Sequence, residues 1–144
     1  MVNNDTIELL NECSKGVKMG IRSIEDVLGH TDSEELKNIL NRTLKEHQTI
    51  ETDIDKRLTE LSDGGKQPSM MASFMSEAKT GIKLSMSQSD STIADLLSDG
   101  CAMGIKSLHR YINKYKAADL KSRETAIKLS DSEEKLLAAL RPFL

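Results

Sequence analysis

Apolar residues recur along this chain at intervals of three and four positions, the period of an amphipathic α-helix. The first stripe comprises Ile7, Leu10, Val17, Ile21, Ile24 and Leu28. Later stripes are separated by capping residues, glycine and proline, which end helices. The pattern predicts helices over residues 4–28, 33–62, 70–86, 91–115 and 118–140. We expect an all-α protein in which residues 1–144 form one domain of two helical hairpins, joined by a crossover that contains the short 70–86 helix.

A nine-residue pattern occurs twice, as residues 16–24 and 100–108. Both copies contain Gly-x-x-Met-Gly-Ile-x-Ser, followed by Ile24 or Leu108. An internal repeat predicts repeated structure. Here the apolar positions of the first and third helices coincide at the same offset, so both copies are predicted to present the same core face.

The composition limits the classes of function that we expect for this protein. Of the 144 residues, 38% are apolar and 30% charged, which predicts a soluble domain large enough to bury a core. The net charge is −3 and aromatic residues make up 3%, so the basic and aromatic surface typical of nucleic-acid binding is not expected. No run of about 18 apolar residues and no signal segment is evident. We expect no membrane association and a cytoplasmic protein, with Cys13 and Cys101 as reduced thiols.

Two glycine pairs belong to the repeat, Gly16 with Gly20 and Gly100 with Gly104. The four-residue spacing puts both members of a pair on one helix face. Glycine costs about 1 kcal/mol relative to alanine inside a helix, so these positions require an explanation. We favour close packing between the first and third helices or at a subunit contact. The alternative is that the glycines leave room for a ligand at the centre of the bundle.

His47 lies on the apolar stripe of the second helix, where a polar group needs a hydrogen-bonding partner. The seam around Ser14, His47 and Cys101 is the place to look for one. A di-metal bundle requires a Glu three residues before a His, and no histidine here has one. We therefore expect no metal site and no cofactor. If a metal is bound, its first candidate ligands are His47, Glu51 and Glu134.

Four of the seven methionines lie within the crossover, between residues 70 and 86. Methionine side chains adapt to irregular surfaces and often fill core gaps. We favour a core role for this stripe, with a partner-binding surface as the alternative. The residues of that candidate surface are Met70, Met71, Phe74 and Met75.

The order of elements resembles that of ferritin-like bundles, with a hairpin, a Gly64-Gly65-Lys66-Gln67-Pro68 turn, a crossover helix and a second hairpin. The chain is most similar to a bacterial ferritin-like family of unknown function. The resemblance implies a left-handed four-helix bundle with pseudo-twofold halves. In Asp99-Gly100-Cys101, Cys101 stands where that family has a carboxylate; Lys18 and Gly20 stand where it tends to have Glu and Tyr, and Glu134 where His is common. The resemblance therefore implies neither iron binding nor oxidase activity.

These observations favour a non-enzymatic bundle that acts through protein contacts, as a homodimer or with another protein. Two alternatives stay open. One is a degenerate ferritin-like protein that binds a metal or serves in stress responses. The other is a protein that binds a small apolar ligand between its helices.

Overall fold

The computed structural model of the protein describes residues 3–62 and 89–144. Within these residues the chain is entirely helical apart from short connections, which confirms the predicted all-α class. It contains four α-helices: α1 (Asn4–Leu28), α2 (Glu34–Leu61), α3 (Asp90–Lys114) and α4 (Leu120–Leu140), followed by a 3₁₀ turn at Arg141–Phe143. The predicted 70–86 helix lies outside the described residues.

Each α-helix begins after a residue whose side-chain oxygen accepts a hydrogen bond from the first turn. Asn3 accepts from the Thr6 amide at 2.9 Å, and Asp119 accepts from the Ser122 amide at 2.9 Å. Ser33 and Ser89 cap α2 and α3 in the same way. Such caps satisfy amide groups that lack a partner within the helix. Because Ser33 and Asp119 serve as caps, α2 and α4 begin one and two residues later than predicted.

The helices form two antiparallel hairpins, α1–α2 and α3–α4, that pack against each other through α1 with α3 and α2 with α4. At one end, the Asp5 carboxylate accepts from the Ala117 amide, and Thr6 accepts from the Asp119 amide. At the other end, Asp90 accepts from the amides that open α2. The chain therefore leaves α2 at one end of the bundle and enters α3 at the opposite end.

The core consists of two clusters stacked along the bundle. One fills the end where α1 begins, and the other the end where α1 meets α2. All four helices contribute to each cluster. The largest fully buried apolar side chains are Leu9, Leu10, Val17, Ile24, Leu36, Leu40, Ile54, Leu58, Ile93, Leu129 and Leu140.

α4 continues without interruption through residues 130–133, although all four are polar. Three of them are buried: Ser130, Ser132 and Glu133. Ser130 lies 3.1 Å from Nε2 of His109 on α3, and Ser132 and Glu133 contact side chains of α2. Among the described residues, no helix is both long and apolar enough to cross a lipid bilayer.

Candidate functional site

A pocket of about 450 Å³ lies between α1 and α3, and both copies of the repeat line it. Five positions of each copy contribute at the same offset along the chain. They are Gly16, Met19, Gly20, Ser23 and Ile24 on α1, and Gly100, Met103, Gly104, Ser107 and Leu108 on α3. We call this the repeat pocket. Met19 and Met103 are 58% and 70% exposed, so equivalent methionines stand at its rim.

The glycines of the repeat have open space or side chains of α2 and α4 in front of them. Among the described residues, a methyl group added at Gly100 would meet no atom within 4 Å, and one at Gly16 would reach Leu129 alone, at 3.9 Å. At Gly104 the nearest atom would be the Glu133 carboxyl carbon at 3.7 Å. No backbone atom of a facing helix is close at these three positions. This differs from the close helix approach that the spacing of the glycines suggests.

Gly20 has a much closer neighbour. A methyl group at this position would lie 2.9 Å from Cδ2 and 3.1 Å from Nε2 of His47. Real side chains essentially never approach that closely. The absence of a side chain at Gly20 therefore allows the imidazole of His47 to reach the base of the repeat pocket from α2.

A buried histidine and a buried glutamate meet at this base. His47 is 1% exposed, and its Nε2 lies 3.0 Å from Oε1 of Glu133 on α4. Both residues line the repeat pocket. A buried charged group needs both a partner and hydrogen bonds. The two side chains supply these to each other across the bundle.

A chain of hydrogen bonds leads from this pair to the surface. Nδ1 of His47 lies 3.3 Å from Oγ of Ser132, which donates to Oε1 of Glu46 at 2.9 Å. Lys135 Nζ donates to the other oxygen of Glu46 at 3.0 Å. Partial burial acts to raise the pKa of the Glu46 carboxyl, but the hydrogen bonds from Lys135 and Ser132 outweigh it and lower this pKa. Glu46 is therefore a carboxylate, which can only accept.

This series of hydrogen bonds determines which atoms carry the protons. Ser132 has one hydroxyl hydrogen and gives it to Glu46, so Nδ1 of His47 must carry a proton and donate it to Ser132. The 3.0 Å contact between Nε2 and Glu133 then needs one further proton, on either atom. The pair is an imidazolium with a carboxylate, or a neutral imidazole with a carboxylic acid.

Cys101 adds a thiol beside this pair. Burial, together with the nearby Glu133 carboxylate, raises the pKa of the Cys101 thiol far above its usual range. Burial, with a smaller effect of Glu12, raises the pKa of Cys13 to about 12. Both cysteines are free and buried. Nucleophilic attack and metal binding require a thiolate, and neither group forms one near neutral pH.

The three candidate metal ligands occupy separate places. His47 is at the base of the repeat pocket, whereas Glu51 lies 3.2 Å from the buried Lys18 Nζ. Glu134 is exposed on α4. Residues 3–62 and 89–144 bring together no group of three His, Cys, Asp or Glu side chains able to hold a metal ion. Ser14 is buried on α1, and the candidate partner surface at Met70, Met71, Phe74 and Met75 lies outside the described residues.

Glu133, the partner of His47, is not among the site residues predicted from the sequence. The sequence feature that could have indicated Glu133 is the apolar stripe of α4. Its buried members are Ala126, Leu129, Leu136 and Leu140. Glu133 falls between Leu129 and Leu136, at the four-then-three spacing that continues this stripe. A carboxylate at a seam position needs a buried partner, just as His47 does.

A comparison with models of known protein families found no match, and a comparison with curated protein sequences found no significant one. The geometry of the repeat pocket is therefore the basis on which a function can be assigned.

Proposed function

We propose that the protein binds a small, largely apolar molecule in the repeat pocket. One observation carries this proposal: both copies of the repeat line the same pocket with equivalent residues. Small-molecule sites are concave, of about 300–1,000 Å³, mostly apolar and supplied with a few convergent polar groups. The repeat pocket has this size, and His47 and Glu133 are its convergent polar groups.

The cost of the glycines supports a ligand. Each glycine destabilises a helix interior by about 1 kcal/mol relative to alanine. No atom of residues 3–62 or 89–144 lies within 4 Å of a methyl group placed at Gly100, so packing among these residues does not require a glycine there. A ligand that needs this space explains why the position has no side chain.

The proposal includes no covalent chemistry. Cys101 is the thiol that lines the pocket, and its raised pKa disfavours the thiolate that nucleophilic attack requires. The residues at the base of the pocket instead form a fixed hydrogen-bonded group that orients a bound molecule. We therefore propose a binding protein in preference to an enzyme.

The test is a titration of the isotope-labelled protein with 1-octanol, followed by the backbone amide NMR signals. We expect saturable shifts at Gly16, Gly20 and Gly104, on both walls of the pocket. Gly100→Leu fills the open space and should abolish them. Ala102→Leu, on the exposed side of the same turn, is the matched control and should retain them. Equal binding by the Gly100→Leu variant, or shifts spread evenly over the surface, would refute the proposal.

Protein contacts are a second candidate function, supported by the exposure of Met19 and Met103. Paired exposed methionines beside an apolar pocket are typical of adaptable interaction surfaces. We propose a second copy of the chain as the partner. Sedimentation velocity should then show a dimer for the natural chain and a monomer for Met19→Lys/Met103→Lys. A natural chain that is monomeric at high concentration contradicts this candidate.

We also propose that the scaffold is a ferritin-like bundle without a di-metal centre. Support comes from the two hairpins and from the connection between them. The chain leaves α2 at one end of the bundle and enters α3 at the opposite end. His47 and Glu133 already contact each other, and Glu51 is engaged by Lys18. Elemental analysis of protein purified without chelators tests this. A stoichiometric transition metal that is lost in His47→Ala would favour the alternative, a metal-binding protein.

A further inference from the structure

We propose that the molecule held in the repeat pocket has a head group that donates a hydrogen bond, namely that of an alcohol or a primary amine. The pocket discriminates against molecules with a carboxylate head group. This inference rests on the proposed function, because it identifies the chemistry of the ligand for the same pocket. It follows from the proton positions at the base of the pocket and from the oxygen of Glu133 that the contact with His47 leaves unused.

Oε1 of Glu133 is occupied by His47, so Oε2 is the oxygen that this contact does not use. A methyl group at Gly20 would be 3.4 Å from Oε1, and one at Gly104 would be 3.9 Å from Oε1 and 3.8 Å from Oε2. The carboxyl group therefore lies at the base of the pocket between the two glycines, with Oε2 near the wall formed by the second copy of the repeat.

Oε2 is an acceptor in both protonation states of the pair. If the shared proton is on His47, Glu133 is a carboxylate and both of its oxygens accept. If the proton is on Oε1, Oε2 is the carbonyl oxygen of a carboxylic acid and still accepts. The group that meets Oε2 must therefore donate. The neighbouring Cys101 thiol is a weak donor, and an oxygen with two lone pairs retains capacity for a second one.

The other charged and polar side chains that line the pocket do not favour the binding of an anionic ligand. Lys15 lines the pocket but pairs with Glu12 at 3.5 Å, one turn away on the same helix. Ser23 and Ser107 can both donate and accept, so their hydroxyls do not discriminate between heads. A carboxylate head would bring its charge next to Glu133 with no uncompensated cation among the described lining residues.

The experiment compares three probes with the same eight-carbon chain: 1-octanol, octylamine and octanoate. Dissociation constants are measured by calorimetry or NMR at neutral pH. Because a buried unmatched polar group costs as much as a lost hydrogen bond, we expect octanol and octylamine to bind at least about tenfold more tightly than octanoate. Octanoate binding as tightly as octanol would overturn this inference and leave the proposed function intact. If none of the three binds in the pocket, the proposed function fails as well.

Two substitutions at the same position test the role of Glu133. In Glu133→Gln, the side-chain amide can donate to Nε2 of His47 and direct its oxygen into the pocket, so octanol should bind within about threefold of the natural chain. In Glu133→Leu the acceptor is gone, and the preference for octanol over octanoate should disappear. Unchanged selectivity in Glu133→Leu overturns the inference. Should this variant fail to fold, the probe series on the natural chain and on Glu133→Gln still decides.

Discussion

The two copies of the repeat have the same glycines but different surroundings. A methyl group at Gly20 on α1 would lie 2.9 Å from the imidazole of His47. A methyl group at its counterpart Gly104 would lie 3.7 Å from the nearest atom, in Glu133. Gly16 has one neighbour within 4 Å, and its counterpart Gly100 has none. In the first copy, Gly20 lacks a side chain because the imidazole of His47 from α2 occupies the space. In the second copy, neither glycine has so close a neighbour among the described residues.

At a non-identical position of the repeat, the side chains of the two copies also have different surroundings. Lys18 is 8% exposed and contacts Glu51 and Asp55 on α2, whereas its counterpart Ala102 is exposed. The copy on α1 is thus tied to α2 by an ion-pair cluster and by the His47 contact. The difference shows that two copies of a repeat can keep the same shape while they make different polar contacts: the first copy pairs with α2 through Lys18, and the second contacts Glu133 through Cys101.

The largest effect should come from breaking the pair that the first copy accommodates. His47→Leu keeps the volume but removes the imidazole partner of Glu133 and leaves Ser132 bonded to Glu46 alone, which should lower the free energy of unfolding by about 3 kcal/mol. Urea denaturation measures this. The double variant His47→Leu/Glu133→Leu should recover part of the loss, because an apolar pair needs no hydrogen bonds. A single variant as stable as the natural chain would mean that the pair is not buried.

Gly20→Ala tests the closest contact. The helix gains about 1 kcal/mol from alanine, but the added methyl group collides with an imidazole held at both nitrogens, and overpacking of this kind costs about 1–3 kcal/mol. We expect a net destabilisation of about 1 kcal/mol by urea denaturation. Gly104→Ala is the matched control and should be neutral or stabilising. Equal effects at both positions would remove the distinction between the two copies.

Lys18→Met tests the ion-pair cluster of the first copy. Methionine keeps the packing of the aliphatic stem but leaves the Glu51 and Asp55 carboxylates facing each other without a cation. We expect a loss of about 1 kcal/mol at low salt and a smaller loss at high salt, since both carboxylates are partly exposed. Ala102→Lys places the lysine in the second copy and should change stability by less than about 0.5 kcal/mol. A loss independent of salt would indicate packing as its cause.

Gly100→Ala should give the smallest effect, and of the opposite sign. The added methyl group meets open space, so the gain in helix propensity of about 0.5–1 kcal/mol is retained. Thermal unfolding should show a rise of about 2–4 °C in Tm for a chain of this size. A fall in Tm would mean that another part of the molecule occupies the space in front of Gly100.

The fold could be predicted from the sequence because its signals are local. α1 occupies the predicted residues 4–28, since Asn3 is placed to cap its first turn and the apolar stripe ends at Leu28. The pairing of His47 with Glu133 has no such local signal, because the two residues are 86 positions apart. Within the polar run at residues 130–133, Glu133 continues the apolar stripe of α4, and this position was not among the predicted site residues.

The glycines were less predictable than the stripes. Their spacing shows that they share a helix face, but not what lies opposite that face. Gly20 and Gly104 are equivalent in sequence, yet a methyl group would collide with an imidazole at Gly20 and make an ordinary contact with a carboxyl group at Gly104. Only the placement of α2 and α4 beneath the repeat separates these two cases.

The position of the repeat pocket between the hairpins has a kinetic consequence. Each hairpin is held by contacts between neighbouring helices, which form early in folding because little chain has to be ordered first. The pocket exists only after both hairpins have docked, so a ligand in it interacts with the assembled state alone. A bound molecule should therefore slow unfolding in proportion to its occupancy and leave the refolding rate unchanged. In this respect it would act as a removable cross-link between the two halves of the chain.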